Sequence, residues 1–282
     1  IRVTSKGGLH SMNGGRHDQP LLNLVHGDSS SMSVIRNKEA QLVLTSPPYW
    51  PDGMEPVRGE RFGSPETFVD ARRDVLELAD SLEPVFKECF RVLASGGVLA
   101  MQTRDLPWGG RFIPLAHVHR EIAESTGLIW IGTIDWHKIG RSSPSRQFRK
   151  MPRVGTYRPD YVEEIQLFCK GQLMPRDQEV DLPPEEIEPV AQPLWRMGGA
   201  GSGRLHPHQS PKALGRRMVA LYTVPGDLVV DPFAGSGLFL KEAFMMGRSA
   251  IGYEIDADYY DVALRSLKEC RRFVNSKWRA AS

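Results

Sequence analysis

Leu228-Val229-Val230-Asp231-Pro232-Phe233-Ala234-Gly235-Ser236-Gly237 is an apolar run that ends in a carboxylate, turns through glycines and re-enters apolar sequence at Leu238. Consecutive aliphatic residues suit a strand covered on both faces, and glycine tolerates the backbone angles of a sharp strand-to-helix turn. The next apolar run, Ala250-Ile251-Gly252-Tyr253-Glu254, ends in a second carboxylate. The two acids are separated by close to the roughly 20 residues at which an acid reaches ribose hydroxyls in dinucleotide folds. An adenosine-type cofactor fits this pattern; a purely structural glycine turn is the alternative. The loop has no phosphate-binding Lys, and Gly235-Ser236-Gly237 is not the GxGxxG pattern, so nucleoside triphosphates and NAD are disfavoured.

Working outward, helical spacing predicts helices over residues 212–222, 240–246 and 259–273 around these strands. Upstream, residues 21–28 read as a short strand ending at Gly27-Asp28, followed by a helix through Ser33-Val34-Ile35. A strand over 40–44 stops at Pro47-Pro48, because neither proline can extend a ladder. One helix is predicted between residues 65 and 93, another over 115–125, and strands over 98–101, 128–134 and 161–169. Strands alternating with helices predict an α/β fold whose mostly parallel, doubly wound sheet carries helices on both faces. Residues 1–20 lack periodicity and are set aside as a flexible N-terminal segment. The stretch 171–205, with six acidic residues between Asp177 and Glu188, five prolines and a glycine-rich end, reads as an insertion or loop.

The 282 residues carry 36 Lys and Arg against 34 Asp and Glu, a net charge of +2. That balance argues against a protein that coats nucleic acid with its whole surface. It conceals an asymmetry. Lys138, Arg141, Arg146, Arg149, Lys150, Arg153 and Arg158 share an interval without a single acid, and the acidic stretch follows shortly after. Such a stripe suits DNA phosphates; a solvated loop balancing the acids is the alternative. No apolar run of about 18 residues is present, and none resembling a signal peptide, so a soluble, intracellular protein without membrane partners is expected. Cys89, Cys169 and Cys270 lack CxxC spacing and read as reduced filler. His117/His119 and His206/His208 have no clustered acids or thiols to complete a metal site, so no metal is expected.

The second chemical segment is Thr45-Ser46-Pro47-Pro48-Tyr49-Trp50. A Pro-Pro pair after a strand holds the backbone extended. The Ser46 hydroxyl and Pro47 carbonyl can then accept hydrogen bonds from a planar amine while Tyr49 stacks on its ring. A proline-terminated loop with a half-buried aromatic is the alternative.

Together the two segments resemble the S-adenosylmethionine-dependent amino-methyltransferases of DNA, whose signatures are an FxGxG cofactor loop and a [Ser/Asp/Asn]-Pro-Pro-[Tyr/Phe] catalytic loop. Here these are Phe233-Ala234-Gly235-Ser236-Gly237 and Ser46-Pro47-Pro48-Tyr49. The catalytic motif precedes the cofactor motif, the permuted order of the family's β group. Gly27-Asp28, Phe90-Arg91-Val92-Leu93, Pro225-Gly226-Asp227 and Gly247-Arg248 extend the likeness over most of residues 21–270.

The resemblance implies a Rossmann-like methyltransferase domain with its catalytic half in residues 21–170 and its cofactor half in 206–282. Residues 171–205 would be a variable insertion and candidate target recognition region. It implies Ser46, Pro47, Pro48 and Tyr49 as catalytic, and Asp28, Asp231, Phe233, Ala234, Gly235, Ser236, Gly237 and Glu254 as contacts for S-adenosylmethionine, with S-adenosylhomocysteine as product. Implied partners are DNA, with the target base flipped out, and a cognate restriction endonuclease; the assembly would be monomer or homodimer. Ser at the first motif position resembles the cytosine-N4 enzymes, as does the absence of Lys-Pro before residue 212; adenine-N6 methylation is the rival, and a non-enzymatic binding module the more distant one. Cytosine-C5 chemistry would need a Cys nucleophile, commonly after Pro, and none here follows Pro.

Overall fold

The computed structural model describes residues 19–51, 65–139, 162–199 and 209–281. Ten strands occur among them: β1 (Leu22–His26), β2 (Ala40–Thr45), β3 (Leu93–Thr103), β4 (Leu106–Trp108), β5 (Arg111–Ile113), β6 (Ile129–Lys138), β7 (Val162–Cys169), β8 (Leu194–Met197), β9 (Leu228–Asp231) and β10 (Ser249–Glu254). The helices are α1 (Phe68–Ser81), α2 (Glu83–Val92), α3 (Leu115–Ser125), α4 (Pro184–Ala191), α5 (Lys212–Tyr222), α6 (Leu238–Met245) and α7 (Ala257–Ala281). Eight strands form one sheet in the order β1-β10-β9-β2-β3-β7-β6-β8, and β4 and β5 form a separate hairpin. Within the large sheet only β7 runs against its neighbours. The sheet is thus mostly parallel, as predicted, with one antiparallel strand that simple alternation did not anticipate.

The side-chain alternation of the central strands builds two cores. Leu42, Leu44, Val98, Ala100 and Val229 face one side, packed against Leu214 and Met218 of α5, Leu240 of α6 and Leu267 of α7. Val43, Leu99, Met101 and Val230 face the other, against Val75 of α1, Phe86 of α2 and Ile122 of α3. Strands buried on both faces explain the uninterrupted apolar runs in the sequence.

Two predicted helices differ. The single helix expected between 65 and 93 is broken at Leu82, because Pro84 has no N–H to continue the ladder and Leu82 turns back to the Ala79 carbonyl at 3.0 Å. The helix expected through Ser33-Val34-Ile35 is a series of turns. Side chains from α2 take over its backbone groups. Glu88 accepts from the Met32 N–H at 2.6 Å, and Arg91 donates to the Met32 and Ile35 carbonyls, each at 3.0 Å. Backbone satisfied this way gains nothing from helix formation.

The chain after β7 also departs from the expected loop. It supplies α4 and then β8, which joins the sheet beside residues Asp135–Lys138 of β6. Trp195 and Trp136 are both buried there, and the Trp136 indole donates to the Met197 carbonyl at 3.2 Å. On its way the segment is tied down at three points. Arg176 pairs with Asp227, Asp181 accepts from the buried Arg248 at 2.7 Å, and Glu186 lies 3.3 Å from Arg217. Asp227 and Arg248 immediately precede β9 and β10, so residues 176–181 lie along the edge of the sheet where those strands begin.

His119 of α3 is buried, its Nδ1 2.9 Å from the Thr103 hydroxyl, and burial pushes its pKa down to about 3. The folded chain therefore binds no proton at His119 at pH values where the unfolded chain does. Stability from this site is full above the unfolded pKa near 6.5 and falls as pH drops toward 3. A His119→Phe variant lacks this dependence. Denaturant titration should show wild type losing about 2 kcal/mol more than the variant between about pH 7.5 and about pH 5; equal losses would contradict the assignment.

Candidate active site

Because every strand of the large sheet except β7 points one way, their C-terminal ends share an edge with the N-terminal end of β7. A cleft of about 510 Å³ opens on that edge. It lies where β9 and β2 are neighbours while their chains leave toward opposite sides, the topological switch point at which open α/β sheets bind ligands. Its walls bring together Asp28 after β1, Ser46, Pro47, Pro48 and Tyr49 after β2, Asp231, Phe233, Ala234, Gly235 and Ser236 after β9, and Glu254 at the end of β10.

Gly237 is the predicted cofactor contact that does not line it. Its φ of +74° requires the left-handed region, and a side chain there would stand 3.3 Å from Ala263 and 3.4 Å from Leu267 of α7. Its missing side chain admits a helix, not a ligand. Gly252, outside the motif, is also closely packed: a Cβ would fall 2.5 Å from the end of the Leu240 side chain and 3.1 Å from the Ala234 Cβ, so Leu240 would have to shift.

The acids differ in state. Asp231 is fully enclosed. It accepts from the Thr45 hydroxyl at 2.7 Å and the Phe233 N–H at 3.1 Å, and burial raises its pKa to about 7 against the pull of those donors. Asp28 accepts from the Ser30 N–H at 2.8 Å and the Ser30 hydroxyl at 2.7 Å, which hold its carboxyl below the usual range. It stays anionic and suits an ammonium. Glu254 accepts from the Gly235 N–H at 2.7 Å and the Asp256 N–H at 2.8 Å. Each of its oxygens keeps a lone pair for a diol, so the carboxylate both shapes the glycine turn and can hold a ribose. With Phe233, Leu82, Ile255 and Tyr259 as apolar lining, the cleft fits an adenosine-type cofactor with a charged tail.

In the loop after β2 the Ser46 hydroxyl lies 3.4 Å from the Tyr49 hydroxyl. The Tyr49 ring is half-buried while its phenol end is enclosed, and burial, reinforced by the nearby Glu163, raises its pKa well above the usual phenol range. Trp50 touches the cleft but is buried, tilted against Trp108 at 5.8 Å between centroids, so it serves the core more than a ligand. Sequence reading missed Gln209, Ser210 and the α1–α2 residues Leu78 and Leu82, which also line the cleft. Only the break at Pro84, which opens a helix end toward the site, could have signalled the last two.

Of the basic stripe, Lys138 is described: its ammonium pairs with the carboxylate of the buried Glu163 and lies 4.6 Å from the Trp136 ring centroid. Arg141, Arg146, Arg149, Lys150, Arg153 and Arg158 lie outside the described residues, as do His206 and His208. Among the described residues no three His, Cys, Asp or Glu side chains are placed to hold a metal ion. No helix among them is long and apolar enough to cross a membrane. Cys89, Cys169 and Cys270 are buried, and none lines the cleft.

A family model described as DNA methylase matches residues 40–265. The Type II methyltransferase M.MjaI of Methanocaldococcus jannaschii is 27% identical over 269 residues, covering 83% of this chain and 86% of that protein. The DNA adenine methyltransferase YhdJ of Escherichia coli is 45% identical over 62 residues, 22% of this chain and 21% of its own length. Among solved structures, TTHA0409 of Thermus thermophilus complexed with S-adenosyl-L-methionine superposes with a TM-score of 0.68 at 24% identity, covering 89% of this chain and 96% of that one. The cytosine-N4-specific PvuII DNA methyltransferase gives 0.64 at 18% identity, covering 87% and 88%. These two share the fold.

Raising the Asp231 pKa means that the folded chain prefers the protonated acid. Wild type should therefore gain stability as pH falls from about 7 toward 3.8, whereas Asp231→Asn should not. Thermal melts should show the Asn variant ahead at about pH 8, with its lead shrinking by about 2 kcal/mol or more by about pH 5. A lead independent of pH would place the charge cost elsewhere.

Proposed function

This chain belongs to the DNA methylase family, whose model spans residues 40–265, and from that membership we propose that it methylates the exocyclic N4 amine of cytosine at a specific DNA site, using S-adenosylmethionine. The observation that carries this reading is that the Ser46 loop and the Asp231 loop line one cleft and are joined at its floor by the Thr45–Asp231 hydrogen bond. S-adenosylmethionine supplies a methyl group already activated on a sulfonium. Asp28, Asp231, Glu254 and the turn from Phe233 to Ser236 would hold that molecule, with the anionic Asp28 suited to its ammonium. The S-adenosyl-L-methionine complex of TTHA0409 supports the same cofactor.

The chain's own contribution is to orient the attacking amine. An aromatic amine donates its lone pair into the ring, so acceptors must draw on its N–H bonds and favour a more pyramidal nitrogen as positive charge develops. Ser46 and the Pro47 carbonyl are the acceptors, and Tyr49 stacks against the base. A target within duplex must be flipped out, at a cost of a few kcal/mol that stacking and phosphate contacts offset. Ser46 at the first loop position supports cytosine N4, the specificity of the PvuII enzyme that shares the fold. The local likeness to YhdJ favours adenine N6 as the second reading. The Type II name of M.MjaI supports a restriction endonuclease partner for this chain as well.

Residues 176–181 are tied along the edge of the sheet away from the cleft, which weighs against that part of 171–205 as the target reader. Target reading is better assigned to chain that leaves the cleft edge: residues 140–161 between β6 and β7, and those following β8. The stripe from Arg141 to Arg158 lies in the first of these. Replacing Arg149 and Lys150 with Gln should reduce the slope of log affinity for DNA against log salt by about 2 while leaving cofactor affinity unchanged; an unaltered slope would remove those residues from the interface.

Digestion of DNA from an expressing host to nucleosides tests the base. N4-methylcytosine is expected, absent when Ser46→Ala is expressed, whereas N6-methyladenine alone would select the second reading. In calorimetry, Ser46→Ala should keep cofactor binding and Asp231→Ala should lose it; the reverse pattern would overturn the division of roles.

A further inference from the structure

Behind the cleft wall, hydrogen bonds run from a buried carboxylate to a hydroxyl at the cleft, and the reading above uses none of them. Glu163 of β7, Gln102 of β3 and Ser210, two residues before α5, are all buried. Gln102 donates through Nε2 to Glu163 Oε2 at 2.5 Å, and its Oε1 accepts from the Ser210 hydroxyl at 2.5 Å. The other Glu163 oxygen takes the Lys138 ammonium. Ser210 lines the cleft, whereas Gln102 and Glu163 stand behind it.

Donors and acceptors allow this line one direction. A carboxylate paired with an ammonium only accepts, so the NH2 group of Gln102 faces Glu163 and its carbonyl faces Ser210. The single hydroxyl proton of Ser210 is thereby committed to Gln102, and what Ser210 offers the cleft is lone pairs. Hydrogen bonds in series polarise one another. Ser210 therefore brings negative potential from Glu163 to the cleft without a carboxylate standing there.

Position decides what meets those lone pairs. The parallel register sets Met101 beside Thr45, so Gln102 follows where the chain enters the Ser46 loop. Gln209, the residue before Ser210, accepts from the hydroxyl of Ser236 in the cofactor turn at 3.3 Å. Ser210 is thus held between the two loops, and a methyl group moving from sulfonium to amine must pass between them. The sulfonium and its methyl carry positive charge and no N–H, which suits an acceptor with no proton to give. We infer that Ser210, oriented by Gln102 and Glu163, faces the sulfonium of S-adenosylmethionine with lone pairs and makes the site prefer this cofactor to S-adenosylhomocysteine, whose sulfur is neutral. The inference rests on the methyltransferase reading and adds to it a means of telling cofactor from product. Gln102 and Glu163 are its positioning residues.

Calorimetry on the intact protein, with each of the two ligands in the absence of DNA, tests this. Ser210→Ala should weaken S-adenosylmethionine by about fivefold and change S-adenosylhomocysteine by less than about twofold. Glu163→Gln lets the Gln102 amide reverse and turn the Ser210 proton toward the cleft. It should lose at least as much of the preference, and combining it with Ser210→Ala should lose little more than the larger single effect. Equal losses for the two ligands would assign Ser210 to a group that both share, such as the ammonium, and would overturn the inference. An unchanged preference in Ser210→Ala, or losses that multiply in the double variant, would do the same. If Glu163→Gln does not fold, Gln102→Met takes its place with the same expectations, since it leaves the Ser210 hydroxyl without its acceptor. Failure of the underlying reading would look different: wild type would bind neither ligand.

Discussion

A single hydrogen bond, from the Thr45 hydroxyl to Asp231 Oδ1 at 2.7 Å, joins the last residue of β2 to the last residue of β9 across 186 residues of chain. Everything the site does depends on these two strand ends being neighbours. β2 leads directly into Ser46 and Pro47, and β9 leads directly into Phe233 and the glycine turn. Parallel strands can be adjacent at their ends only when the long connections between them leave the sheet on either face. The two cores exist to make that possible. Asp231 is buried at the floor of the cleft, and its desolvation is the cost of holding the loops after β2 and β9 in fixed register.

Much of this was legible in the sequence because the signals were local. The runs before Asp231 and Glu254, the Pro-Pro stop after β2 and the limits of α3 and α5 are set by residues within a few positions of one another. What was not legible required partners distant in sequence. The turns at Ser33-Val34-Ile35 are held by Glu88 and Arg91, more than fifty residues away, and no local propensity could report that competition. The same holds for β8. Its four residues have a half-alternating pattern, and only the pairing with β6 and the burial of Trp195 make them a strand.

The site shows the same division at finer scale. Chemical type singled out Asp28, Ser46, Tyr49, Asp231 and Glu254 in the sequence, and the fold brings all five to one cleft. Position within a motif says less at Gly237. Its neighbours Gly235 and Ser236 belong to the same turn and line the cleft, whereas Gly237 admits α7. Gln102, Glu163 and Ser210 had no motif to mark them. They come from β3, β7 and the approach to α5, and they meet only because β7 runs antiparallel and brings its first residues, not its last, to the cleft edge.

That antiparallel strand also bears on the permuted motif order. β1 pairs with β10, so the beginning and end of the described sheet are adjacent. In a sheet whose functional groups all sit on one edge, chemistry depends on which strand ends are neighbours, not on which is translated first. Opening the chain between the strands that carry the two loops leaves β9 beside β2 and the Thr45–Asp231 contact intact. The arrangement needs a brace where the two halves are covalently joined, and residues 171–199 supply it: Arg176 and Asp181 bind the starts of β9 and β10, and β8 closes the opposite margin of the sheet. A segment whose acidic composition suggested a variable insertion therefore also connects the halves mechanically. Two of its acids, Asp181 and Glu186, are taken up by Arg248 and Arg217 on the far side of the join.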